Sequence, residues 1–151
     1  MERPIPTRFE TARLRLREPV PADAEALFAR YTQDPAISRF LVWQPHRTID
    51  DTRAFIESSR AAWRAGNRMP FVVAERGDDS AIGMVEARFL GTTVDVGYVL
   101  ARSHWGRGLI PEAIDALATA CLASPSIFRV HAACDVENMR YPPNFRIDPS
   151  K

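Results

Sequence analysis

Apolar and polar positions alternate with a period of two along residues 11–17, where Leu14 and Leu16 fall on one face and Arg13, Arg15 and Arg17 on the other. That is the pattern of a half-buried strand. Pro21 then opens a stretch, residues 22–31, in which Ala24, Leu27, Phe28 and Tyr31 share one side of a helix, and Asp34-Pro35 predicts its end. A longer helix follows Thr48 as N-cap, with Asp50 and Asp51 in the first turn and Ile49, Phe55, Ile56, Ala62 and Trp63 as the apolar stripe. Gly66-Asn67 supplies its stop. Strands at 70–75 and 81–89 flank Arg76-Gly77-Asp78-Asp79-Ser80, a composition suited to a hairpin, and a third strand at 93–100 continues the meander after Gly91.

The rhythm changes after Leu100. A loop at 101–108, a helix at 110–123 and a strand at 127–135 form a strand–helix–strand unit, which requires a parallel pair joined by a right-handed crossover. The whole predicts one α+β (mixed α/β) domain over residues 1–151, with a mostly antiparallel twisted sheet, one parallel βαβ crossover and helices packed on the sheet.

Composition narrows the function. At 46% hydrophobic and 26% charged, the 151 residues have the balance of a soluble domain with a single core. A net charge of +1 with scattered arginines gives no field for nucleic acid or an anionic membrane, so neither is expected as a partner. No run approaches the roughly 20 apolar residues of a membrane span, and residues 1–8 lack the apolar stretch of a secretory signal. Cys121 and Cys134 have neither CxxC nor Cys/His spacing, so they read as ordinary small residues in a reducing cytoplasm, with no metal site.

The chemistry concentrates in Ser103-His104-Trp105-Gly106-Arg107-Gly108-Leu109-Ile110-Pro111-Glu112-Ala113. Two glycines around a cation, just before a helix, let a ligand approach the backbone closely. The first helical amides have no intrahelical partner and, with the helix dipole, favour an anion such as a pyrophosphate. By itself Gly-x-Gly also suits a plain tight connection. Neither G-x-x-x-x-G-K-[ST] nor the third glycine of the dinucleotide fingerprint is present.

Asp95-Val96-Gly97-Tyr98-Val99-Leu100, followed by His104-Trp105-Gly106-Arg107-Gly108 and Pro111-Glu112-Ala113, resembles motif A of the GNAT N-acetyltransferases, especially the branch with the ribosomal-protein N-terminal acetyltransferases. Thr11-Ala12-Arg13-Leu14-Arg15-Leu16-Arg17 resembles the opening of that branch, and Asp135-Val136-Glu137-Asn138 the Asn-containing end of its fifth strand, so the resemblance spans residues 10–140. It implies acetyl-CoA as co-substrate and a primary amine, on a protein N-terminus or a small molecule, as acceptor. It further implies that Val99 and Leu100 pair with the pantetheine arm and that Gly106, Arg107, Gly108 and Leu109 hold the pyrophosphate. Asn138 matches an Asn beside the pantetheine, while His104 and Trp105 match positions that shape the loop, His104 being grouped with the donor-binding residues.

Acyl transfer to an amine needs a proton acceptor, because a lysine-like amine has a pKa of about 10.4. It also needs donors for the developing oxyanion, for which a strand amide near Val99 is suited. Asp95 is the first choice of base, at a position where the branch often carries Glu, and Glu86 the second. Both can equally be paired surface carboxylates. His104 ranks third, and Tyr98 reads as a cleft wall. The acceptor pocket is expected from residues 40–43 and the helix after Thr48, with Trp43, Phe55 and Trp63 as wall or core.

After Arg140 the resemblance breaks. Where the family continues with a small residue, a helix and two strands, this chain has Tyr141-Pro142-Pro143 and eight more residues, too few for a helix plus a hairpin. A truncation or frame change before Tyr141 is the expected origin. The strand at 127–135, with Ile127, Val130, Ala132 and Cys134, is then an open edge that invites self-association. A catalytically impaired acyl-CoA-binding or interaction domain stands as the alternative to the enzyme, and a phosphate-ester binder without acyl transfer as a third reading.

Overall fold

The computed structural model describes residues 5–32, 46–132 and 146–147. Strands β1 (Phe9–Glu10) and β2 (Leu14–Arg17) lead to α1 (Asp23–Leu27), which widens into a π-helical turn at Phe28–Thr32. Helix α2 (Ile49–Ala65) precedes the meander β3 (Arg68–Glu75), β4 (Ala81–Leu90) and β5 (Thr93–Leu100). A 3₁₀ turn at Arg102–His104 leads to α3 (Leu109–Ala123), then β6 (Arg129–Ala132) and β7 (Arg146–Ile147). The strands form one sheet in sequence order. Every neighbouring pair is antiparallel except β5 and β6, which run parallel with Asp95 opposite His131.

Local chemistry explains the element ends. The Thr48 hydroxyl accepts from the Asp51 amide and the Asp51 carboxylate accepts from the Thr48 amide, a capping box that starts α2 where the sequence predicts it. Gly66, at φ 86°, closes that helix. Regular α-helix at α1 ends at Leu27, short of the expected 22–31, because the next five residues take the wider π spacing. The predicted stop at Asp34-Pro35 lies outside the described residues.

The alternation of each strand divides the core in two. One cluster joins Leu14, Leu16, Phe71, Val73, Val85 and Val96 to Leu109, Ile110, Ala113, Ile114, Leu117 and Cys121 of α3. The other joins Val72, Ala74, Ala81 and Met84 to Ala24 and Leu27 of α1 and Ile56 of α2. Removing seven α3 side chains from water fixes that helix on the sheet, the four large ones, Leu109, Ile110, Ile114 and Leu117, contributing about 1.5–3 kcal/mol each. Its N-terminus is thereby held at the end of β5.

Within the expected strand 127–135, the described pairing runs from Arg129 to Ala132; Ile127 and Phe128 enter through a turn in which the Phe128 amide donates to the Thr92 carbonyl. Residues 133–135, including Cys134, lie outside the described residues. The expectation of a bare edge is corrected at its middle, where Ile147 pairs with Val130 and Arg146 with His131. The tail is too short for a helix and hairpin, but two residues suffice to pair with part of an exposed ladder.

Candidate active site

From Leu100 the chain turns through Arg102–His104 and reaches α3 by way of Gly106 and Gly108, whose φ values are 80° and 74°. Residues with a Cβ rarely adopt that region, so the glycines are a backbone requirement. The first half of the loop is tied down by side chains. The Trp105 indole donates to the Leu100 carbonyl at 2.9 Å, and His104 Nε2 lies 2.9 Å from Glu75 Oε1 while its Nδ1 lies 2.9 Å from Ser103 Oγ. By contrast, the amides of Gly106, Arg107, Gly108 and Leu109 meet no acceptor among the described residues. Gly106, Gly108 and Leu109 border a cavity of about 200 Å³ that Leu100, His104, Ile110 and Pro111 also line. Unpaired amides at a helix N-terminus can bind an anion.

The underside of the loop holds residues that sequence reasoning assigned no individual role. The Arg13 guanidinium donates to the carbonyls of Arg107 (2.9 Å) and Gly108 (3.4 Å) and forms an ion pair with Glu112 Oε1 through two nitrogens, each at 2.7 Å. The other Glu112 oxygen accepts from the Arg13 amide at 2.9 Å and from the Thr11 hydroxyl. Burial pushes the Glu112 carboxyl up, but these hydrogen bonds and the Arg13 charge together outweigh it and hold it below its ordinary range. The available signal was a basic opening motif, with Arg13, Arg15 and Arg17, and a single acid, Glu112, in the Pro111-Glu112-Ala113 segment.

On the other face of the sheet, a second cavity of about 230 Å³ is formed by Phe55 and Ser59 of α2, Arg68 and Pro70 of β3, Met84, Glu86 and Arg88 of β4, and Gly97, Tyr98 and Val99 of β5. Glu86 contacts Arg68 and stands 3.5 Å from Arg88. Asp95 does not line this cavity; it lies 3.5 Å from Arg88 and 3.3 Å from His131. Gly97 makes room for the arginine, since a Cβ there would lie 2.6 Å from the Arg88 guanidinium. Phe55 faces the cavity, whereas Trp63 is core, stacked edge-on against Phe71 and donating to the Pro70 carbonyl. Asn138 and residues 40–43, Trp43 among them, lie outside the described residues.

The two cavities meet on β5. Val99 lines one and the next residue, Leu100, lines the other. The described register between β5 and β6 ends at Val96 and Ala132, so the flank of residues 97–100 away from β4 carries no strand among the described residues.

Residues 13–141 match the family model of the acetyltransferase (GNAT) domain. The chain belongs to that family. As a GNAT acetyltransferase it moves an acetyl group from acetyl-CoA to a primary amine, and the family match favours this enzymatic reading over an impaired binding domain. It is 27% identical over 131 residues to the uncharacterized N-acetyltransferase p20 of Bacillus licheniformis, covering 85% of this chain and 73% of that protein. It resembles a structure assigned as a ribosomal-protein-serine acetyltransferase from Vibrio cholerae, with 26% identity and a TM-score of 0.77 over 87% of this chain and 76% of the other. The microcin C7 self-immunity acetyltransferase MccE, solved with acetyl-CoA and AMP, shares the fold at 23% identity and a TM-score of 0.75, over 86% and 74% of the two chains.

Proposed function

We propose that the acetyltransferase binds the diphosphate of acetyl-CoA over the amides of residues 106–109, runs the pantetheine arm along Val99 and Leu100, and receives the acceptor amine in the cavity beside Glu86. The observation that carries this reading is the adjacency of Val99 and Leu100, which brings the anion cradle and the second cavity together at one strand end. A donor laid along that flank crosses from phosphate site to acceptor site without leaving β5.

In this reading Glu86 accepts the amine proton, directly or through one water. Strand geometry separates it from Asp95. Four residues of extended chain put Asp95 about 13 Å from Val99, beyond hydrogen-bond reach. Glu86 pairs with Gly97, only two residues from Val99, and its side chain opens on the cavity. Asp95 instead holds Arg88. His104, fixed between Glu75 and Ser103, shapes the cradle. The natural acceptor is a protein N-terminus or a small primary amine.

Turnover of acetyl-CoA with a panel of amines and N-terminal peptides tests the reading. Acetyl transfer to one of them supports it; tight CoA binding without transfer to any would favour the impaired binding domain, and ATP binding without CoA binding the phosphate-ester reading.

A buried, unpaired Cys121 is in keeping with a reducing cytoplasmic compartment. Because Arg146–Ile147 occupy part of the β6 edge, the self-association drawn from that edge is greatest when the tail is removed. Sedimentation of a chain ending at Arg140 should show a concentration-dependent dimer; a monomer at all concentrations would remove the edge as an interface.

A further inference from the structure

We infer that Arg13 and Glu112 are positioning residues for the coenzyme diphosphate, setting the direction in which the loop amides point. This rests on the cradle reading above. The described chain has no cis peptide bond, so the carbonyl of each residue and the amide of the next lie in one plane and point in opposite directions. Arg13 draws the carbonyls of Arg107 and Gly108 toward β2. The amides of Gly108 and Leu109 must therefore point away from β2. The Gly108 carbonyl also accepts from the Glu112 amide at 3.3 Å, opening the first turn of α3, so its direction is fixed twice.

Glu112 orients the arginine in turn. Its carboxylate takes two guanidinium nitrogens on one oxygen, and the Arg13 amide and Thr11 hydroxyl on the other, which leaves the remaining donors of Arg13 facing the loop. Glu112 is also the one acid in the first turn of α3, where an anion is to bind. Arg13 neutralises it there. The sheet's second strand thus supports a donor site formed 99 residues later in the chain.

Michaelis constants for acetyl-CoA and for acetyl-pantetheine, which lacks the diphosphate, test the inference. Arg13→Gln should raise KM for acetyl-CoA roughly tenfold, the scale of one charge-assisted contact, with kcat within about twofold and KM for acetyl-pantetheine unchanged. Arg13→Lys should show the same split, because a single ammonium nitrogen cannot span the positions at which three guanidinium nitrogens meet two carbonyls and a carboxylate, and it serves if the glutamine variant does not fold. Adding Glu112→Gln to Arg13→Gln should recover part of the loss by removing the unpaired carboxylate. Equal rises in KM for both donors, or lower thermal stability with no change in KM, would overturn the inference and leave the pair a purely structural one. If the wild type itself does not prefer acetyl-CoA to acetyl-pantetheine, the cradle reading is what fails, and this inference with it.

Discussion

Replacing Glu86 with glutamine removes the proposed base while keeping its length and an oxygen that can accept from Arg68. At pH 7.5 an amine with a pKa of about 10.4 is uncharged in roughly one molecule in 800, while an α-amine with a pKa of about 7.7–8.0 is uncharged in roughly a third. A positioned base contributes about 10²–10⁴ in rate, so Glu86→Gln should lower kcat at least about 100-fold at neutral pH. The deficit should narrow as pH rises toward the amine pKa, where the acceptor sheds its own proton. KM for acetyl-CoA should hold, because Glu86 does not line the cradle. Unfolding cannot mimic this result. The Arg68 and Glu86 side chains are 37% and 23% exposed; losing the half-exposed pairs with Arg68 and Arg88 and leaving those arginines facing each other costs about 1–2 kcal/mol. For a domain of this size that lowers Tm by about 2–8 °C. Steady-state thiol release, read from pH 6.5 to 9.5 beside a thermal melt, supplies both numbers. Retention of more than a third of wild-type kcat at pH 7, with Asp95→Asn inactive, would refute the assignment.

Three further outcomes follow from the same geometry. Gly108→Ala should raise KM for acetyl-CoA and lower Tm by about 2–8 °C, since alanine at φ 74° costs about 1–2 kcal/mol, while its Cβ would meet Arg13 at an ordinary 3.6 Å; kinetics and a thermal melt check both. Glu112 titrates below its ordinary 4.5 in the folded chain, so its contribution is present above that value and lost as pH falls through the depressed one. The Tm gap between wild type and Glu112→Gln should accordingly be constant above about pH 5.5 and shrink below 4.5. Burial pushes the Cys121 thiol up to about 12, so peptide mass spectrometry should find it unalkylated at pH 8 until denaturant unfolds the chain.

The fold was legible where a local pattern sets it. Alternation at Leu14 and Leu16 placed β2, Thr48 as N-cap started α2, and the paired glycines marked the turn into α3 within a residue. The site was legible only in part. Asp95 and Glu86 occupy the same face of adjacent strands, so side-chain alternation cannot rank them; the ranking proposed above draws on the register, Glu86 opposite Gly97 and Arg88 opposite Asp95. That register depends on the tight turn at Gly91 and Thr92, and a shift of one residue would reverse the faces. The Arg13–Glu112 contact was hidden for a different reason. It joins residues 99 apart, and each motif looks locally complete. The two-residue strand Arg146–Ile147 has no periodicity to read, being shorter than one repeat of the alternation.

Amide chemical shifts offer the most direct view of the coenzyme site. Titrating isotopically labelled protein with CoA should produce its largest nitrogen and proton shifts at Gly106, Arg107, Gly108 and Leu109, with smaller ones at Val99 and Leu100. Shifts clustered elsewhere on the molecule, with those loop amides unmoved at saturating CoA, would contradict the proposed mode of donor binding.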